Sequence, residues 1–223
     1  MNNKSKASEL RRAARLVRQI CRIAGEPRLI VKLSRDLARR GVRSAIRRHD
    51  SSVLFDWLVD TVSFQGIGNH VAHGYMERHG RVRWSEIAAL IKTGPTCPKL
   101  QSYWHFDHCG YQKIERCCAE LGHFPACPLP THDLRNGRLN QAAYSLFLFM
   151  RDIAGDDFVG WIDRRVADAN CASAADRAAR LRHALIGPLS HVHGVSNKVL
   201  SMALADLLVA GDPPRALWIE PAR

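Results

Sequence analysis

Leu185-Ile-Gly-Pro-Leu-Ser-His-Val-His-Gly194-Val-Ser-Asn-Lys198-Val-Leu-Ser-Met-Ala-Leu-Ala-Asp-Leu-Leu208 is the stretch that decides how this chain folds. It reads as two apolar helices joined by a tight turn. The first should stop at Gly187-Pro188, because proline brings no N–H to a helix interior. The turn falls on His193-Gly194-Val195-Ser196, where Gly194 permits a left-handed backbone that a Cβ would resist. A second apolar helix is predicted over about 197–209, with Ser196 or Asn197 as its cap. Unpartnered N–H groups at Val195, Ser196 and Asn197 would form a concavity for an anion, and the helix dipole adds positive charge there. A phosphate of a nucleic-acid backbone suits such a place. A buried helical pair with a glycine turn would show the same pattern.

Upstream of this stretch the helical pattern continues. Residues 140–153 are apolar on nearly all sides, which predicts a central core helix. Gly155 ends it. Residues 158–169 are amphipathic through Val159, Ile162 and Val166. Residues 174–186 lead into the turn. Nearer the start, Ser51 or Ser52 should cap a helix over 53–63, which breaks at 64–69. Asn69 opens another that runs to Gly80, and residues 84–92 form a short one. Neither an internal repeat nor strand-like alternation is visible, so the predicted fold class is all-α, a multi-helix bundle.

Composition narrows the partners. The chain has 223 residues, 46% of them apolar, which is enough for a packed core. Its net charge of +12 favours a polyanion, nucleic acid first and an anionic membrane surface second. The apolar run at 144–150 is too short to span a bilayer and ends at Arg151-Asp152, so membrane insertion is not expected. Arginines interrupt the N-terminus, which does not read as a signal peptide; a cytoplasmic, nucleoid-associated monomer is expected. Residues 1–50 hold fifteen Lys or Arg against four Asp or Glu. They read as a basic helical arm in two pieces, about 8–23 and 28–40, split by Gly25-Glu26-Pro27. Such an arm would track phosphates.

Residues 94–132 change character, with many Cys, His and Pro and little periodicity. A long irregular segment needs something to hold it. Cys97, Cys109, Cys117 and Cys127 could together bind an iron–sulfur cluster or a zinc ion. Cys127-Pro128 is similar to the Cys-Pro ending of some cluster motifs. The spacing fits no C-x-x-C zinc pair, and buried free thiols are the third reading. Tyr103, Trp104, Phe106 and Tyr111 suit base stacking, or packing under a loop.

The hairpin Val192-His-Gly-Val-Ser-Asn-Lys198 resembles that of the endonuclease III-like helix-hairpin-helix DNA glycosylase superfamily, which runs roughly leucine-proline-glycine-valine-glycine-x-lysine. The likeness covers about 51–93 and 133–210. It implies a glycosylase-like domain over 51–223, with 94–132 as a Cys-rich insertion and 1–50 as the arm. The family's cluster loop lies after the hairpin, unlike the cysteines here. The resemblance implies duplex DNA as partner, held by His193, Gly194, Val195, Ser196 and Asn197. Ser63-Phe-Gln65 resembles the family's Ser-x-Gln element, which implies that Gln65 fills space beside an extruded nucleotide. Lys198 takes the place of the lysine that attacks the sugar C1′ in lyase-competent members. Position in a first helical turn favours its neutral amine. The implied activity is that of a base-excision repair glycosylase or abasic-site lyase; the alternative is a non-catalytic helix-hairpin-helix DNA-binding protein. Two departures stand out. Ser196 replaces the second hairpin glycine, and the family's essential Asp and closing helices are expected further on. Asp212 is the nearest carboxylate, earlier than that position and set between Gly and Pro, so the chain reads as shortened there.

Overall fold

A helical stretch without a polar face has to be surrounded, and residues 142–150 are. In the computed structural model every side chain from Ala142 to Met150 is buried, Ser145 included. The structure describes residues 27–63, 69–79, 82–93, 97–106, 109–112, 117–118, 138–169 and 174–210. In chain order the helices are α1 (Pro27–Arg39), α2 (Val42–Arg48), α3 (Ser51–Ser63), α4 (Asn69–His79), α5 (Trp84–Lys92), α6 (Tyr103–Phe106), α7 (Arg138–Leu148), α8 (Phe158–Asp168), α9 (Ala174–Leu189) and α10 (Asn197–Ala210). A 3-10 turn at Pro98–Leu100 precedes α6, and a π-helical turn, Phe149–Ile153, extends α7. The described residues are mostly helical. One minimal antiparallel ladder departs from this, β1 (Tyr111–Gln112) with β2 (Cys117–Cys118), pairing Tyr111 with Cys118 and Gln112 with Cys117. Two-residue strands are too short for alternation to reveal.

The core gathers around α7 and α3. Phe55 meets Trp84 and Phe147 edge-on at 5.5 and 6.1 Å, and Phe149 meets Trp161 at 5.3 Å. Phe55, Phe149 and Phe158 are fully buried; each such burial stabilises by about 1.5–3 kcal/mol. Helix α5 begins where expected, and α3 supplies its start. The Asp56 carboxylate accepts from Trp84 N–H at 2.8 Å, while Glu86 accepts from Arg83 N–H at 3.2 Å. Two of the N–H groups that a helix start leaves open are thereby met.

Three expectations need correction. The helix before the hairpin does not stop at Gly187-Pro188: α9 runs to Leu189 with Pro188 in its last turn. Proline there forgoes the bond to the Ala184 carbonyl, and the turn is closed instead by Ser190 N–H to Ile186 at 2.8 Å. Neither Ser51 nor Ser52 caps α3. Asp50 does, accepting from Val53 N–H at 3.2 Å and from the Ser52 hydroxyl at 2.7 Å. These bonds, led by Ser52, hold the Asp50 carboxyl below its ordinary range against some opposing burial. Lastly, the basic segment is not all appendage. Leu37, Val42, Ala45 and Ile46 belong to the same core as Leu54 and Phe147, and α1 packs against α10. The earlier piece of the arm lies outside the described residues.

Candidate nucleic-acid interface

The hairpin is built from a few specified bonds. After α9, His191 N–H reaches the Pro188 carbonyl at 3.3 Å and Val192 N–H the Leu189 carbonyl at 3.0 Å. Val192 is buried and anchors the turn. Gly194 then takes φ +74°, the left-handed conformation its sequence position predicts. Helix α10 begins at Asn197, and the Ser196 carbonyl accepts from Leu200 N–H at 3.0 Å. Ser196 therefore sits at the cap position. Val195 N–H is directed back to Val192 at 3.4 Å. The open donors thus shift one residue along from the expected set: among the described residues nothing accepts from the N–H groups of Ser196, Asn197 or Lys198. All three residues are exposed, as is Gly194, while His193 and Val195 are half-buried.

Ser145 holds this turn in place, and the sequence reading missed it. It is wholly buried in the middle of α7, and its hydroxyl accepts from His193 N–H at 3.1 Å. A hydroxyl buried among apolar side chains is costly unless bonded. That cost was the available signal, though its partner lies 48 residues away. The His193 ring meets the edge of Phe106 at 5.2 Å.

A cleft of about 310 Å³ opens beside the hairpin. It is lined by Pro188, His191 and His193 at the end of α9 and in the turn, by Ser145 and Phe149 of the core helix, and by Tyr103, Trp104 and Phe106 of α6. Of the sequence-predicted residues, the fold brings His193 together with Tyr103, Trp104 and Phe106. Lys198 is exposed in the first turn of α10, so the protein alone does not bury it. Asp206, two turns further along α10, is partly buried, and that burial pushes its carboxyl up.

The cysteines are only partly placed. Cys97 is buried in the core and Cys109 packs against it, neither in a disulfide. Cys117 lies in β2, and Cys127 is outside the described residues. Among the described residues no group of three or more His, Cys, Asp or Glu is positioned to hold a metal ion. Gln65 and Asp212 also lie outside them. No helix of the described residues is long and apolar enough to cross a membrane. No protein-family model matches the chain, and neither a characterised protein nor a solved structure shows significant similarity to it.

Proposed function

We propose that this protein binds duplex DNA through the hairpin at 190–198 and acts in base-excision repair, as a DNA glycosylase or abasic-site lyase using Lys198. One observation carries the reading: N–H groups with no acceptor among the described residues at the exposed residues 196–198, after a left-handed Gly194 and a turn bonded to the core through Ser145. Such a row suits a phosphate oxygen, and the positive end of α10 points the same way. The packing of basic α1 against α10 adds cationic surface to the same helix. In the chemical step the Lys198 amine adds to the C1′ aldehyde of an abasic site and water departs, leaving an imine. Loss of a C2′ proton then breaks the 3′ C–O bond by β-elimination.

A non-catalytic DNA-binding role is the second reading. The exposure of Lys198 favours it, as does the distance of Asp206, about 12 Å along the helix axis. An iron–sulfur cluster or zinc on Cys97, Cys109, Cys117 and Cys127 belongs to the same proposal. The test of that part is metal and iron content of anaerobically purified protein, lowered by Cys109→Ser or Cys127→Ser.

The test of the hairpin is binding to a labelled duplex across a salt series. Affinity should fall steeply as salt rises, because phosphate contacts release bound cations. Gly194→Val places a β-branched residue at φ +74° and should weaken binding by about tenfold or more while the helices stay formed. Unchanged binding by that variant would remove the hairpin from the interface.

A further inference from the structure

The cleft beside the hairpin has a feature that the phosphate site does not use. Trp104 stands at its rim with 62% of its surface exposed. By contrast Trp57 and Trp161 are buried. The segment bearing Trp104 lies in 94–132, outside the stretches that resemble the glycosylases.

The backbone around Trp104 is held from below. The Asp152 carboxylate accepts from Tyr103 N–H at 2.8 Å, and the Arg151 guanidinium donates to the Gln101 carbonyl at 2.6 Å. Arg151 and Asp152 also pair with each other at 2.5 Å. Both belong to the π-helical turn at the end of α7, an irregularity that recurs at functional sites. Tyr103 is fixed from the side as well, edge-on to Phe149 at 5.4 Å. Two charged side chains at the end of the core helix thus position a short element whose outward residue is a tryptophan. An indole left in water on a braced support is a platform for a flat partner.

The rest of the cleft lining points to that partner. It includes the hairpin itself, through His191 and His193. The hairpin that lends these rings to the cleft carries its open donors three to five residues beyond His193, at 196–198. A cleft of about 310 Å³ is at the small end of ligand sites, roughly 300–1,000 Å³. A nucleotide within a strand has both parts, phosphate and planar base, joined at short range. A base stacked inside a duplex has both faces covered by its neighbours; an unpaired, unstacked one has a face free for an indole.

We infer that Trp104 is a stacking residue that makes this protein select DNA containing an unpaired, unstacked nucleotide over fully paired duplex, with Asp152 as its positioning residue. The inference rests on the hairpin reading above, which supplies the hold on the backbone.

The experiment compares two fluorescein-labelled duplexes of one sequence, fully paired or carrying one bulged thymidine, by anisotropy at fixed salt. Wild-type protein should bind the bulged duplex on the order of tenfold more tightly, within what one base–aromatic stack contributes. Trp104→Ala should bring the ratio to about one and leave fully paired binding unchanged. Trp104→Phe should keep most of the preference. Asp152→Ala should lower the ratio, and Asp152→Asn, whose amide oxygen still accepts from Tyr103 N–H, should restore it. A wild-type ratio near one, or a preference that survives Trp104→Ala, overturns the inference and leaves the hairpin reading standing. Failure of the wild type to bind either duplex overturns both.

Discussion

Two corners of this molecule turn the chain on left-handed residues, and they treat their polar groups in opposite ways. At the first, the 49–51 segment meets 155–160. His49 and Asp156 take φ of 56° and 60°, a conformation that costs a residue with a Cβ roughly 1–2 kcal/mol. The corner closes on itself. Ser51 donates to the Asp156 carbonyl at 2.7 Å and accepts from Phe158 N–H at 3.0 Å. Asp157 accepts from Gly160 N–H and from His49, both at 2.8 Å. A Cβ on Gly160 would lie 2.0 Å from that carboxylate, so the glycine leaves the space in which Asp157 caps α8. At the second corner, the hairpin, Gly194 takes the left-handed place and the N–H groups at 196–198 have no acceptor among the described residues. The difference teaches where to look for function. A turn whose side chains cap the helices it joins is holding them together, and one whose helix start has no side-chain cap among the described residues is available to a ligand.

The contrast predicts that chemistry resides at the open corner. The largest effect should come from Lys198. Borohydride reduces an imine with an abasic site to a permanent protein–DNA adduct. Lys198→Ala should abolish the adduct while sparing most salt-sensitive binding. Lys198→Arg should fail as well, because a guanidinium stays protonated and is a poor nucleophile. Absence of any adduct from wild-type protein that binds DNA would leave the hairpin as a grip without chemistry.

The closed corner should instead show itself in stability. Ser51→Ala removes one partner from two bonds, leaves Phe158 N–H unsatisfied and should cost about 2 kcal/mol. The melting temperature should drop by roughly 4–8 °C, with DNA affinity unchanged well below the transition. Ser145→Ala sharpens the comparison, because it removes the hydroxyl that accepts from His193 N–H at the open corner. About 1 kcal/mol of stability should go, and duplex affinity should fall with it. If Ser145→Ala lost stability alone, the position of the hairpin would not matter to binding.

Removing residues 1–26 tests how far the grip extends. They carry seven Lys or Arg and two Asp or Glu. Their loss should reduce the salt slope of binding in proportion to the phosphates they neutralise. The cut has to stop before α1 ends, because Leu37, Val42, Ala45 and Ile46 are core residues.

How much of this was legible follows the range of the interactions. Helix α5 was read with its observed ends, because apolar spacing and Lys92 are local signals. Gly194 was read correctly for the same reason: a turn needing positive φ announces itself in one residue. The last turn of α9 was misread because proline is judged by the bond it lacks, and near a helix end that loss is small. Asp50 was passed over for Ser51, whose hydroxyl is committed to a carbonyl 105 residues away. The support of the candidate site was hidden for the same reason. Nothing near Ser145 in sequence indicates that it holds His193, and Arg151-Asp152 read only as the end of an apolar run. The aromatic residues at 103–106 stand out in the sequence, but not which of them faces water; that is Trp104.

The smallest expected effect compares two carboxylates, one in the closed corner and one on the helix that follows the open corner. Asp50 in the closed corner has its carboxyl held down, first by the Ser52 hydroxyl; Asp206, on the helix that begins at the hairpin, has its carboxyl pushed up by burial. Their linkage to folding therefore has opposite signs. In the unfolded chain both ionise near roughly pH 4. Asp50 remains ionised in the folded protein to lower pH, so its stabilisation is complete above that value and is lost as pH falls through its depressed folded pKa. Asp206 stays protonated in the folded protein to higher pH, so its ionisation detracts from stability as pH rises from about 4 through its raised folded pKa. Asp206→Asn should then raise the melting temperature at pH 7 by on the order of 1–2 °C. The gain should shrink to nothing by about pH 3, where both states of the parent are protonated there. Asp50→Ala should do the reverse, destabilising at pH 7 and converging on the parent only in acid. Measuring each variant against the parent at the same pH removes the contribution of the other acids. A gain from Asp206→Asn that persisted in acid would mean that its effect comes from packing or hydrogen bonding rather than from charge on a buried carboxylate.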